Sequence, residues 1–214
     1  MEPITNATVY IVDDDASVRE ALAWLLRSRR LPSESFDSAE AFDAMLQKRP
    51  PQRQPCCLLL DVRMPGMSGL ALFDVLAARG DLATMPVIFL TGHGDVPMAV
   101  AALKNGAYDF VEKPCNDNEL VDRVLEALRL DAEQRVDAAH ADSFKRRSER
   151  LSTRERQVMD LVLQGKLNKN IADELQISIR TVEVHRSSVF EKMGVRTAVE
   201  LARIVSASEG KNRG

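Results

Sequence analysis

The chain has 214 residues, 45% of them apolar, with a net charge of −3, which is enough for two modest domains with ordinary cores. The charge is uneven: up to Ser143 there are 14 Lys+Arg against 23 Asp+Glu, and from Phe144 onward 15 against 9, so the first part suits a cation and the last part a polyanion such as nucleic acid. No apolar run approaches a membrane span, the start lacks a basic stretch followed by an apolar one, and Cys56, Cys57 and Cys115 lack metal-ligand spacing. A cytoplasmic protein with reduced thiols is therefore expected, without export or membrane insertion.

In chain order, TVYIVDDD (Thr8 to Asp15) reads as an apolar strand ending in three carboxylates, and SVREALAWLLRSR follows with Val18, Leu22, Leu25 and Leu26 at helical spacing. A weak strand spans Ser33 to Phe36, a short helix runs from Ser38 to Gln47, and the Pro-rich stretch RPPQRQP leads to CCLLLD. The apolar run Cys56 to Leu60 predicts a strand buried on both faces of a parallel sheet, delivering Asp61 into a turn built from Pro65, Gly66 and Gly69. GLALFDVLAARG is its helix; MPVIFLT (Met85 to Thr91) is a fourth strand, VPMAVAALKNGA its helix closed by Gly106, and YDFVEKP (Tyr108 to Pro114) a fifth strand.

Strands alternating with helices of about ten residues mean a parallel sheet with right-handed crossovers. The carboxyl ends of its strands share one edge, where ligands collect. Asp13, Asp14, Asp61, Thr91 and Lys113 would converge there. Each Asp alone could be a cap or a solvated turn. Together they form an oxygen-only set that suits Mg²⁺ or Mn²⁺, because neighbouring carboxylates tolerate joint ionisation only beside a cation. His93, in TGHGDVP, reads as a loop residue near that edge rather than a catalyst.

From Asn118 to about Lys145 there is no Pro or Gly, and Leu120, Val121, Val124, Leu125 and Leu128 share a face. The last helix of the first domain is therefore expected to run on as a helical linker, with FKRRSER as the hinge. LSTRERQV opens with a capping box from Ser152 to Glu155, and NKNIADELQ, RTVEVHRSSVFEKMG and TAVELARIV supply three further helices. Two short helices joined by a tight turn, ISI, are a helix-turn-helix signature.

On the third of these helices Val182, His185, Val189 and Met193 fall at core spacing, which makes His185 a packed histidine. Arg180, Thr181, Glu183, Val184, Ser187 and Ser188 point away as a candidate major-groove surface, with Arg186 at its flank. Lys169 and Lys192 are candidate phosphate contacts, and Glu183 can accept from a cytosine amino group.

IVDDD, LLLDVRMPGMSG, the Thr91 strand end and EKP, in that order, resemble the receiver domain of two-component response regulators. LSTRERQV and TVEVHR resemble the LuxR-type domain of NarL/FixJ-class regulators. The resemblance implies a doubly wound five-stranded sheet of order 2-1-3-4-5 over residues 1–128, a helical linker at 129–149, and a small all-α, four-helix DNA-binding domain at 150–208. It implies that Asp61 accepts a phosphoryl group from a sensor histidine kinase, while Asp14 ligates the metal directly, Asp13 through water, and Asp61 itself and the Arg63 carbonyl are further ligands. It further implies that Thr91 and Phe110 act as switch residues and that Lys113 is aimed by a cis bond to Pro114. Cys115 departs from the pattern, which often has Phe there.

The expected protein is a transcription regulator that catalyses only its own phosphorylation and slow dephosphorylation. It dimerises when phosphorylated and binds promoter double-stranded DNA, with RNA polymerase among its expected partners. Two rival readings remain at this point. A hydrolase of the haloacid-dehalogenase kind would want an Asp two residues after Asp61, where Arg63 stands. A constitutive DNA binder with a degenerate receiver would not keep Asp13, Asp14, Asp61, Thr91 and Lys113 together.

Overall fold

The computed structural model describes residues 6–49, 54–92 and 96–209, so His93 lies outside the described residues. Five parallel strands, β1 (Thr8–Val12), β2 (Ser33–Phe36), β3 (Cys56–Asp61), β4 (Val87–Thr91) and β5 (Asp109–Glu112), form one sheet in the order β2-β1-β3-β4-β5. Helices α1 (Ala16–Ser28), α2 (Ala39–Lys48), α3 (Gly69–Arg79), α4 (Val96–Lys104) and α5 (Asp117–Glu149) connect and cover it.

Burial of β3 on both faces follows from its alternation. Cys56, Leu58 and Leu60 pack with Tyr10, Phe42, Leu72, Phe73 and Phe89 on one side. Cys57 and Leu59 pack with Leu25, Leu26, Ile88, Val124 and Leu128 on the other. Burial pushes the Cys56 thiol up to about 12 and raises that of Cys57 as well, so neither is a reactive thiolate at neutral pH.

Strand β1 ends at Val12 rather than running on to Asp15. The reason is local: the Asp15 side chain accepts from the Ser17 amide at 2.8 Å and caps α1, an extended conformation that turns the chain out of the sheet. Ser38 and Ser68 cap α2 and α3 in the same way, and Gly80 ends α3 in the left-handed region at φ 79°. A 3₁₀ turn, Asp81–Thr84, which the periodicity did not predict, then carries the chain to β4.

The chain divides into two compact units, Met1–Arg135 and Val136–Gly214. Helix α5 continues through the stretch expected as a linker, and its first part is fastened well beyond Leu128. Asp131, fully buried, accepts from the Cys56 amide at 2.7 Å and from Arg135 Nε at 2.7 Å. Arg135 also donates to the Thr84 carbonyl at 2.5 Å.

In the second unit, α6 (Thr153–Leu163), α7 (Asn168–Leu175), α8 (Ile179–Met193) and α9 (Ala198–Glu209) surround a core of Val158, Leu161, Ile171, Val182, Val189, Met193 and Leu201. The α6 capping box is present in both directions. Ile179, expected in the turn, instead begins α8, because Ser178 caps it by accepting from the Thr181 amide. The end of α5 joins this unit: Phe144 packs on its core, and Arg147 donates to the Met193 carbonyl at 2.9 Å, where the helix dipole favours a cation. Among the described residues no helix is long and apolar enough to cross a membrane.

Candidate functional site

Sheet register creates the first site. Val12 pairs with Leu60, Asp61 with Leu90, and Thr91 with Glu112, so the residues just past these positions meet at one edge. Lys113 Nζ lies 2.5 Å from Asp13 Oδ2 and 2.7 Å from Asp61 Oδ1, bridging the two carboxylates. Each acid also accepts from the backbone: Asp13 Oδ1 accepts the Asp15 amide at 2.9 Å, and Asp61 Oδ2 accepts the Arg63 amide at 2.7 Å. Burial alone would lower the Lys113 ammonium, but hydrogen bonds and charge from Asp13 and Asp61 outweigh it and hold the group above the usual lysine value.

A cavity of about 320 Å³ opens at this edge, lined by Asp13, Asp14, Asp15, Val18, Asp61, Arg63, Thr91, Gly92 and Lys113. Five residues expected to converge from the sequence, Asp13, Asp14, Asp61, Thr91 and Lys113, all line it. Asp13, Asp61 and Thr91 are buried, whereas Asp14 is exposed. The Lys113–Pro114 bond is cis. Phe110 is partly buried, with its ring centroid 6.4 Å from that of Phe89.

Among the described residues no three His, Cys, Asp or Glu side chains close on one point as a ready-made metal cage. Two converging carboxylates, a third at the rim and open volume nevertheless fit a hard cation that keeps several waters. The formal charge of Asp13, Asp61 and Lys113 together is negative, which favours such an ion.

Three supports escaped sequence reasoning. Arg19 Nη1 donates to the Asp13 carbonyl at 2.7 Å. Glu40 accepts the Met67 amide at 2.8 Å and so holds the loop after Asp61 from α2. Gly69 sits so close to β3 that a Cβ there would meet the Asp61 carbonyl oxygen at 2.0 Å. Only the last had a sequence signal, a glycine at the start of a helix, and that signal does not reveal the contact.

In the second unit, Arg180, Glu183, Val184 and Ser187 are exposed on α8, and Lys169 is exposed on α7. Thr181 is half-buried, its hydroxyl 2.7 Å from that of Ser178. The structure narrows the expected DNA-facing residues, because Ser188 of the outward set, Arg186 at its flank and the phosphate candidate Lys192 are engaged within the domain. Arg186 donates to Asn168 Oδ1 at 2.8 Å and lies over the Phe190 ring. Ser188 donates to Glu155 at 2.5 Å, and Lys192 Nζ lies 2.7 Å from both Glu155 oxygens. Val182, Val189 and Met193 are buried as their spacing predicts, and His185 is half-buried.

Residues 9–125 match the family described as "Response regulator receiver domain", and residues 149–205 match "Bacterial regulatory proteins, luxR family". The C4-dicarboxylate transport transcriptional regulatory protein DctR of Rhodobacter capsulatus is 48% identical over 92% of this chain and 98% of its own. The transcriptional regulatory protein FixJ of Azorhizobium caulinodans is 48% identical over 92% of this chain and 90% of its own. Among solved structures, that of the response regulator StyR superposes with a TM-score of 0.83 at 42% identity, over 94% of this chain and 99% of that one. The acidic strand-edge pocket and the helix-turn-helix thus belong to one known combination: the chain is a member of the transcriptional response regulators that join a receiver to a LuxR-type DNA-binding domain.

Proposed function

We propose that Asp61 accepts a phosphoryl group from the phosphohistidine of a sensor kinase, and that this modification governs how the second unit engages promoter DNA. The observation that carries the reading is the Lys113 ammonium held between Asp13 and Asp61. A carboxylate attacks a phosphoryl group only if the charge on the equatorial oxygens is offset. Lys113 is already aimed at the oxygen that would attack, and Asp13, Asp14 and the Arg63 carbonyl are the groups that would hold Mg²⁺ or Mn²⁺ beside it. The bound ion supplies further charge neutralisation.

Asp61 Oδ2 is fixed by the Arg63 amide, which leaves Oδ1, now on Lys113, as the nucleophile. In the modified state Lys113 bonds a phosphoryl oxygen, and the Thr91 hydroxyl donates to another. These contacts exist only in that state, so they shift the population towards it. Phe110, packed on the core beside α4 and β4, is the aromatic that follows Thr91. The chain performs no other chemistry than its own phosphorylation and slow hydrolysis.

The face of α4 and β5 is the proposed dimer surface; Val100 and Leu103 are exposed on it. Arg180, Thr181, Glu183, Val184 and Ser187 would meet base edges, with Lys169 on phosphate and Arg186, on α8, bracing the surface through Asn168 of α7. The linker proper shortens to the stretch between Arg135 and Phe144, since both flanks are fastened within their own units. The protein is proposed to act in the cytoplasm.

Incubation of the full chain with an acyl phosphate and Mg²⁺ tests the reading. A gain of one phosphoryl group on the peptide containing Asp61, lost in Asp61→Asn together with any phosphate-stimulated DNA binding, is expected. Undiminished stimulation in Asp61→Asn overturns it.

A further inference from the structure

The sequence assigns Glu155 one task, closing the capping box at the start of α6, and that task uses a single oxygen: Oε2 accepts the Ser152 amide at 2.7 Å. The carboxylate does more. Its Oε1 accepts the Ser188 hydroxyl, and both oxygens lie 2.7 Å from Lys192 Nζ. Ser188 and Lys192 are four residues apart on α8 and so share one helix face. Glu155 is 5% exposed, a degree of burial that a carboxylate tolerates only when paired. Lys192 is different: its side chain is 32% exposed, a long cation at the rim of α8 whose ammonium is turned inward.

We infer that Glu155 withholds Lys192 from DNA phosphates and so keeps the sequence-independent part of DNA binding small. The inference rests on the reading that the exposed face of α8 meets DNA. Its physical basis is a difference between two kinds of complex. On non-specific DNA the domain is free to adopt whatever pose satisfies its cations, so a released lysine counts in full. On a specific site, base contacts from Arg180, Glu183 and Val184 fix the helix, and a released lysine gains only what that pose permits. Releasing Lys192 therefore strengthens non-specific binding more than specific binding. The discrimination between them falls although no base-contacting residue has changed. Ser188, held by the same carboxylate, fixes the rotation of α8 on α6, so Glu155 is a positioning residue as well as a competitor for the cation.

The test uses the full chain and two duplexes: one of random sequence, and the tightest binder recovered by selection from a random pool. Glu155→Gln keeps the shape and removes the charge. It is expected to steepen the dependence of log affinity on log salt for the random duplex by about 0.9, the value of one added phosphate contact, and to lower the ratio of selected to random affinity. Lys192→Met added to Glu155→Gln is expected to restore the original slope. Lys192→Met alone is expected to leave that slope unchanged, and this arm decides the matter if Glu155→Gln fails to fold. A slope that becomes shallower by about 0.9 in Lys192→Met alone means that Lys192 already contacts phosphate and overturns the inference. Equal losses on both duplexes in Glu155→Gln with no change of slope also overturn it, leaving Glu155 a purely structural residue. Arg180→Ala is the separate control. Unchanged binding to both duplexes in that variant sinks the reading that α8 meets DNA, whereas lost binding there with an unmoved slope in Glu155→Gln sinks only the role given to Glu155.

Discussion

Each unit of the chain buries carboxylate against a lysine, and the two arrangements are opposites. At the sheet edge, two acids, Asp13 and Asp61, share the one ammonium of Lys113 beside an open cavity. In the helical unit, one acid, Glu155, takes an ammonium, a hydroxyl and an amide. The first cluster carries net negative charge and keeps free lone pairs, which suits the cation and then the phosphoryl group proposed for it. The second is neutral and saturated, so it holds its partners in place. A buried ion pair can be either a site or a strut, and the count of acids against donors tells which.

The largest expected effect comes from removing the shared ammonium. Lys113→Met leaves Asp13 and Asp61 facing each other with no cation between them. Phosphoryl uptake at Asp61 should fall by about 10²-fold or more, the scale of losing one preorganised donor to developing charge. Uptake of label from an acyl phosphate measures it, with a thermal melt to show that the fold persists. A loss of only a few-fold would mean that Lys113 serves the resting state and not the transfer.

The strut should show itself in acid. Lys192 first, then Ser188 and the Ser152 amide, hold the Glu155 carboxyl down at about 2, below the ordinary glutamate value. A depressed folded value means that the contribution is present above the unfolded value and is lost as pH falls from about 4.5 towards 2. Its full size is about 3 kcal/mol. Denaturant titrations of the second unit's transition at stepped pH values should show this loss in the unaltered chain and not in Glu155→Gln. Parallel curves for the two would remove Glu155 from the acid response.

Packing under the first site gives an effect of similar or smaller size. Gly69→Ala drives a Cβ into the Asp61 carbonyl, and because that atom belongs to the central strand the backbone must move. Overpacking of this kind costs about 1–3 kcal/mol. Since the displaced residue is the proposed nucleophile, phosphoryl uptake should slow as well. Destabilisation with unaltered uptake would show that the strand end adjusts without shifting Asp61.

What the sequence made legible here was whatever repeats with a period or sits at an element's end. CCLLLD declared a buried strand, and the strand ends declared Asp13, Asp61, Thr91 and Lys113 together, because parallel topology alone brings them to one edge. The capping box at Ser152 was visible for the same local reason. Glu40, Asp131 and the outer bonds of Glu155 were not visible. Each depends on a partner 27 to 75 positions away in the chain, and no local pattern encodes such a meeting. The same limit explains why Ser188 read as outward-facing and Lys192 as a phosphate contact: helical spacing gives a direction, while the neighbour that occupies it comes from tertiary packing.

Asp131 tests whether a third buried acid behaves as site or strut, and the expected effect is the smallest. It pairs with Arg135 and the Cys56 amide through Oδ2, while among the described residues its Oδ1 has no hydrogen-bond partner. Burial raises the carboxyl above the ordinary aspartate value even though Arg135 and the Cys56 amide pull it down. A raised folded value favours folding below the unfolded value, and that contribution is lost as pH rises through the folded one. Asparagine keeps an acceptor for the Cys56 amide and has no charge to bury. It gives up the attraction to Arg135 and places an amide where Oδ1 lay, so Asp131→Asn should cost about 1 kcal/mol. The sign of the pH dependence is the sharper observable. If burial outweighs the ion pair, the variant's deficit in the first unit's unfolding midpoint shrinks as pH rises from the ordinary aspartate range towards neutrality. A deficit that grows over that range would mean that the pair with Arg135 stabilises the end of the first unit, and Asp131 would then stand with Glu155 as a strut.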